Sequence, residues 1–226
     1  MLDLNEKHVA TKTSVTFLLD RSGSMNAIKQ ETIGAFNAYL NGLEADGITF
    51  TLVQFDSGGI DKMCVRVPVA QAPRLDDNNF QPRGYTPLID AAYRTIKAVE
   101  ESVDGDSKVI ICIQTDGEEN ASREYDWAAL NKLIKEKSAS GWQFNFLGAG
   151  IDAYSQGAKM GIARADTMSY DSTDAKKSLA AFSTRAESHR SYAMGQSVNT
   201  SISDTERDDA GDKFAKKKDN AGAFRL

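Results

Sequence analysis

Short apolar runs alternate along this chain with longer segments whose apolar residues recur at helical spacing. The first run, SVTFLLD at residues 14–20, is almost entirely apolar, as in a strand that is buried on both faces. The segment at residues 27–44 follows it, with apolar residues three and four positions apart, as on one face of a helix. This alternation is typical of an α/β domain in which helices cover both faces of a mostly parallel sheet.

The same patterns predict five more strands and four more helices. The strands are at residues 48–56, 63–70, 108–116, 142–147 and 167–170, and the helices are at residues 87–99, 127–134, 154–161 and 175–189. Pro68 suits only an edge strand, because proline has no amide hydrogen to donate to a neighbouring strand. The SGG turn before that strand is short enough for a hairpin, so we predict an antiparallel edge. Thr173 is the predicted N-cap of the last helix.

The length of 226 residues suits one main domain with short appendages. We assign residues 1–12 to an N-terminal arm, residues 13–195 to the domain and residues 196–226 to a polar tail. The apolar period fades in the tail, which predicts little structure in isolation. Phe214 and Phe224 could anchor the tail to a partner, although we slightly favour a flexible end without a role.

Charge and composition narrow the classes of partner and the cellular setting. The net charge of -5 argues against nucleic acid as the primary partner, because no broad basic field is available to bind phosphate. The N-terminus lacks the pattern of a signal peptide, and no window approaches the length of a membrane span. Cys64 and Cys112 lie in apolar runs, which predicts reduced, buried thiols. We therefore expect a cytoplasmic protein without membrane contact, although export without a signal peptide stays open.

Oxygen-bearing residues stand at the ends of three predicted elements. They are Asp20, Ser22 and Ser24 after the first strand, Thr86 before the second helix and Asp116 after the fourth strand. Ligands of parallel sheets bind at the carboxyl ends of the strands, where these loops gather. Gly23 relaxes the backbone between the two serines, so that three side-chain oxygens can converge. Hard divalent cations, Mg2+ in particular, prefer such a set of oxygens.

These residues also carry a family resemblance. The segments DRSGSM at residues 20–25, GYTPL at 84–88 and TDG at 115–117 together resemble the metal-ion-dependent adhesion site of von Willebrand factor A domains, in the same chain order. The resemblance spans residues 13–195 and is nearest to the stand-alone intracellular domains of bacteria and phages. It implies a doubly wound, Rossmann-like sheet of six strands with one antiparallel edge strand.

The resemblance also implies roles for the site residues. In the family, the hydroxyls that match Ser22, Ser24 and Thr86 coordinate metal directly or through water. The carboxylates that match Asp20 and Asp116 often act through water. Since hydroxyls are neutral ligands, the cation stays electrophilic, and an Asp or Glu of a protein partner completes its shell. We expect Mg2+, with Mn2+ and Ca2+ as alternatives, in a binding module that is not an enzyme.

Further residues are expected to line the same face and to select the partner. They are Arg21, Tyr85, Glu118, Glu119, Asn120 and Arg123. For Glu118 and Glu119, a solvated acidic loop beside a helix N-terminus explains the sequence at least as well as a second cation site. His189 lies on the apolar face of the last helix and is interpreted as a partly buried packing residue.

Two other functions stay open at this stage. A phosphatase could use Asp20 as a nucleophile, but Ser22 occupies the position where haloacid-dehalogenase-like enzymes place an acid/base aspartate, and no activating lysine is evident. Alternatively, the tail from Gln196 onward could dock the chain into a larger assembly, beside an AAA+ ATPase or in a phage or stress-response complex. Deleting the tail would distinguish such a scaffold from a metal-dependent module.

Overall fold

The computed structural model describes residues 13–196 and 200–215. The strands are β1 Thr13–Asp20, β2 Ile48–Asp56, β3 Gly59–Pro68, β4 Lys108–Thr115, β5 Gln143–Ala149 and β6 Thr167–Tyr170. The α-helices are α1 Lys29–Leu43, α2 Leu88–Ser102, α3 Trp127–Ala139, α4 Ala153–Met160, α5 Ala175–Ala193 and α6 Asp204–Asp209, and short 3-10 turns lie at Gly23–Ile28, Val69–Gln71 and Arg164–Asp166.

The six strands form one sheet in the order β3-β2-β1-β4-β5-β6. All neighbours are parallel except β2 and β3, which pair antiparallel at one edge. The predicted doubly wound fold is therefore confirmed. After β1 the chain builds outward to β3 and then returns to place β4 on the other side of β1, so the strand order reverses between β1 and β4. In sheets of this kind the crevice at that reversal is the usual place for a ligand.

Alternate residues of β1 face two separate cores. Val15, Phe17 and Leu19 pack on the side of α1 and α5, whereas Leu18 packs on the side of α2, α3 and α4. The first core is rich in aromatic residues, with the Phe17 and Phe36 rings edge to face at 5.2 Å. Burial of both faces explains why the sequence of β1 is apolar at almost every position.

The edge strand β3 is longer than predicted. It begins at Gly59 rather than at residue 63, because the turn after β2 is tight and pairing resumes at once. An irregularity in the pairing accompanies Arg66, whose φ of 49° is positive. Pro68 closes the strand at the outer edge, which agrees with its missing amide hydrogen.

His189 packs in the first core and is completely buried. Its Nδ1 atom lies 2.7 Å from the Tyr39 hydroxyl, and its Nε2 atom lies 2.5 Å from Asn145 Oδ1. Burial, assisted by the nearby charge of Arg185, lowers the pKa of the ring to about 3. The interpretation of His189 as a packing residue is confirmed, but its ring is fully rather than partly buried. Cys112 is buried in the same core and is a free thiol, as is the half-buried Cys64.

Part of the predicted tail packs on the domain. The fully buried Arg185 of α5 pairs with Glu206 of α6 and donates to the Thr200 carbonyl at 2.7 Å. Arg207, also buried, donates to the Tyr154 hydroxyl at 2.6 Å. The expectation of little structure is therefore wrong for residues 200–215. Buried arginines hold this segment, and such contacts do not require apolar residues at regular spacing in its sequence. Phe214 is half-buried, whereas Phe224, the arm at residues 1–12 and the end of the tail lie outside the described residues.

The N-cap of α5 is Asp174 rather than the predicted Thr173. The Asp174 carboxylate accepts from the amide of Lys176 at 3.0 Å, and the Thr173 hydroxyl donates to Asp171. Either residue type can cap a helix, so only the backbone path after β6 decides between them. No helix within the described ranges is long and apolar enough to cross a membrane.

Candidate metal centre

The three predicted site segments meet at the carboxyl ends of β1 and β4. The Ser24 hydroxyl donates to Asp116 Oδ1 at 2.6 Å and lies 3.1 Å from the Ser22 hydroxyl. A Cβ atom placed on Gly117 would lie 3.4 Å from Thr86 Oγ1 and 3.6 Å from Ser24 Oγ, so both hydroxyls border the space in front of this glycine. Residues that are distant in the sequence therefore place three hydroxyls and the Asp116 carboxylate around one point.

Asp20 lies directly beneath this group and is completely buried. Its Oδ1 atom accepts from the amide of Ser22 and its Oδ2 atom accepts from the Thr115 hydroxyl, both at 2.6 Å. Burial raises the pKa of Asp20 to about 6 against the opposing effect of these hydrogen bonds. Sequence analysis did not select Thr115, although its position directly before Asp116 in the TDG segment places it beside the end of β1.

The donor chemistry fits a hard divalent cation. Burial also raises the pKa of Asp116, with the Ser24 hydrogen bond opposing it. Within the described ranges neither Asp20 nor Asp116 belongs to an ion pair, and no three Asp, Glu, His or Cys side chains cluster as a metal site. Two desolvated carboxylates and three neutral hydroxyls remain, and a hard cation would offset the cost of burying the two carboxylates.

Backbone contacts join the loop after β1 to the loop before α2. Gly23 donates its amide hydrogen to the Gly84 carbonyl at 3.1 Å, and Arg83 donates to the Arg21 carbonyl at 2.8 Å. Gly84 has a φ of 68°, and a Cβ atom there would lie 2.3 Å from the Ser57 hydroxyl. Only glycine fits this position. The spacing between the serine hydroxyls and Thr86 is therefore set by a backbone junction.

The side chain of Arg21, predicted to lie on the partner-binding rim, points inward and is only 7% exposed. Its guanidinium contacts Asp56 Oδ2 at 2.7 Å and Asp61 Oδ2 at 2.6 Å. Arg83 reaches the same oxygen of Asp56 at 3.0 Å. Burial opposes ionisation of Asp56, but the amide of Gly58 and the two arginines outweigh it and lower its pKa. We call these four side chains, Arg21, Asp56, Asp61 and Arg83, the arginine clamp.

The loop after β4 holds Thr86 and the start of α2. Asn120 accepts from the amide of Thr86 at 2.9 Å through Oδ1 and donates its own amide hydrogen to the Thr86 carbonyl at 3.1 Å. Glu119 accepts from the amide of Ile89 at 2.9 Å, so it caps α2 from another part of the chain. Of the predicted rim residues, Tyr85, Glu118 and Arg123 have exposed side chains around the candidate centre, as does Asn120.

Comparisons with known proteins agree with this architecture. No protein-family model and no curated protein matches the sequence. Among solved structures, a von Willebrand factor type A protein from Catenulispora acidiphila matches 80% of this chain with a TM-score of 0.61 and 16% identity, and this chain spans 43% of its length. The von Willebrand factor domain of the pili tip protein Mfa5 from Porphyromonas gingivalis matches 87% of this chain and is itself covered to 99%, with a TM-score of 0.62 and 10% identity.

A third match is the manganese-loaded TRAP protein of Plasmodium vivax. It covers 76% of this chain, which spans 74% of its length, with a TM-score of 0.55 and 16% identity. Identities this low establish the fold and nothing further. With the strand order, the single antiparallel edge and the helices on both faces, these similarities show that the chain has the fold of von Willebrand factor A domains.

Proposed function

We propose that this chain is a protein-binding module in which a divalent cation captures a carboxylate of the partner. Asp20, Ser22, Ser24, Thr86 and Asp116 would hold the cation. One observation carries this proposal. The two carboxylates are desolvated and have no cationic partner among the described residues. They face three hydroxyls at the place where the strand order reverses. Pili and adhesion proteins among the structural neighbours support a role in protein binding.

Each side chain has a distinct part in this proposal. Asp20, buried and oriented by Thr115 and by the amide of Ser22, would supply negative charge from below the site. Ser22, Ser24 and Thr86 would supply neutral oxygens, and Asp116 would accept from Ser24 or from ordered water. A cation bound there would offer an electrophilic position to an anionic ligand. We propose Mg2+, although the manganese-loaded neighbour makes Mn2+ an alternative worth testing first.

Hydrolysis by Asp20 receives less support from this geometry. A nucleophilic carboxylate must reach its substrate, whereas Asp20 is completely buried and both its oxygens accept hydrogen bonds. Docking through the tail also receives less support over residues 200–215, because that segment packs on its own domain.

Two measurements test the proposal. Calorimetric titration with Mg2+ and with Mn2+ is expected to show one site, which Asp20→Ala and Ser24→Ala abolish or weaken. Asp46→Ala is the matched control, since Asp46 is exposed beyond the opposite end of the sheet, beside the start of β2. A pull-down from the native host would then compare wild type with Asp20→Ala, with and without EDTA. Partner capture that survives both EDTA and Asp20→Ala contradicts metal bridging.

A further inference from the structure

A cavity of about 290 Å³ lies beside the candidate metal centre, between the turn after β2 and the loop after β4. Tyr85 and Pro87 line it, and these residues flank Thr86 on both sides. Ser57, at the other wall, accepts from the amide of Tyr85 at 3.1 Å. The cavity therefore lies next to the segment that carries Thr86, so a bound peptide could reach both the cavity and the centre.

The lining combines apolar walls with charged groups. Ile60, Pro87 and Ala91 supply apolar surface, and the ring of Tyr85 stands at the entrance with 68% of its surface exposed. Tyr85 is one of few large apolar side chains in the described ranges with such exposure. An exposed aromatic ring at the mouth of a cavity is typical of a recognition surface, because it offers contact area at low entropic cost.

Four of the five charged residues that line the cavity already have partners. Asp56 belongs to the arginine clamp. Asp90 accepts from the amides of Arg123 and Tyr125 at 2.8 and 2.9 Å. Arg94 and Glu124 form an ion pair with each other.

The fifth charged residue is Arg123. Its backbone amide donates to the Asp90 carboxylate. Its side chain is exposed, and no contact of its guanidinium is found among the described residues. Asp56, Arg94 and Glu124 have partners of opposite charge, and the Asp90 carboxylate is held by backbone amides. The Arg123 guanidinium is therefore the charged group of the lining that is free, among the described residues, to bind an anion. A guanidinium binds a carboxylate through two parallel hydrogen bonds, which makes an acidic side chain its natural complement.

We propose that the cavity and the metal centre together recognise a partner segment with two nearby acidic side chains, one captured at the metal and one bound by Arg123. The stem of the second acid packs against Ile60 and Pro87 while its carboxylate reaches the guanidinium. This inference rests on the proposed function for the first acid alone. The contact with Arg123 is independent of metal, so the two contacts can fail separately.

The test is a selection of random displayed peptides against the purified chain in Mg2+. Wild type is expected to enrich sequences with two acidic residues a few positions apart. Arg123→Glu is expected to keep the first acid and to replace the second by Lys or Arg. Selected peptides, synthesised and titrated, should bind Arg123→Gln about two- to fivefold more weakly, the range for an ion pair with an exposed arginine. Lys132→Glu, exposed on α3, is the matched control and should leave selection and affinity unchanged.

The outcomes separate this inference from the proposed function. Peptides with a single acid, sensitive to EDTA but indifferent to Arg123→Glu, overturn the second contact and leave metal capture in place. Peptides that depend on Arg123 but neither on EDTA nor on Ser24 overturn metal capture. A selection that yields no acidic peptides overturns both. Equal thermal unfolding midpoints for wild type and both Arg123 variants establish that folding is not the cause, since the guanidinium has no described contact to lose.

Discussion

Removal of Asp56 from the arginine clamp should destabilise the fold strongly. The carboxylate is only 1% exposed and accepts from Arg21, from Arg83 and from the amide of Gly58. The Arg83 side chain is 63% exposed, so its contact is worth at most about 1 kcal/mol. Arg21 is almost fully buried, and removal of one partner from a buried pair costs about 3–5 kcal/mol. We therefore expect Asp56→Ala to lower the free energy of unfolding by about 3–5 kcal/mol, measured by urea denaturation.

Asp61→Ala is the matched control for this prediction. Asp61 contacts the same guanidinium of Arg21 at 2.6 Å, but its side chain is 52% exposed. Solvent screens such a pair, so we expect a loss of about 1 kcal/mol or less. If the two variants lose equal stability, burial of the Asp56–Arg21 pair is not what holds these loops. A change in the denaturant slope would instead indicate that Asp56→Ala altered the compactness of the unfolded or folded state.

Three further predictions concern other buried polar groups. Thr115→Val should weaken Mg2+ binding about ten- to a hundredfold in calorimetry, because Asp20 loses the hydroxyl that orients it. Thr95→Val is its control, because the buried Thr95 hydroxyl has no hydrogen-bond partner among the described residues and its loss should leave Mg2+ affinity unchanged. His189 should make stability fall below pH 6.5, because the unfolded ring takes up a proton there and the folded ring does so only near pH 3. The free energy of unfolding should fall by at most about 1.4 kcal/mol per pH unit. The urea midpoint of His189→Gln should therefore depend less steeply on pH than that of the wild type. Deletion of residues 200–226 should lower the thermal midpoint sharply, because it strips the carboxylate from a buried ion pair; an unchanged midpoint would mean that this segment is dispensable for folding.

The last of these predictions changes how a role for the tail can be tested. Deletion of the whole tail from Gln196 onward would confuse loss of a docking site with loss of stability, because Arg185 and Tyr154 contact the segment at residues 200–215. A truncation after Ala215 preserves the contacts found among the described residues. It therefore tests the tail as a docking element more cleanly than the full deletion.

Local sequence patterns predicted most elements of this fold. β2 and β6 have the predicted boundaries, and the antiparallel edge followed from Pro68 and the short turn before it. These signals are local, because burial on one or two faces and the lack of an amide hydrogen act within a few residues. The α6 segment escaped prediction because it is held by buried arginines, and ion pairing leaves no periodic signature.

The sequence by itself predicted which residues could hold a cation, because it places hydroxyl and carboxylate side chains together at strand ends. Tertiary structure alone decided where they point. Asp20 is enclosed and oriented by Thr115, a contact across 95 positions of the chain. Arg21 stands next to Asp20, yet its side chain turns away toward Asp56. Arg123 lines the neighbouring cavity, and its guanidinium has no contact among the described residues. The direction of a side chain depends on partners brought together by the sheet, and a one-dimensional pattern does not encode those partners.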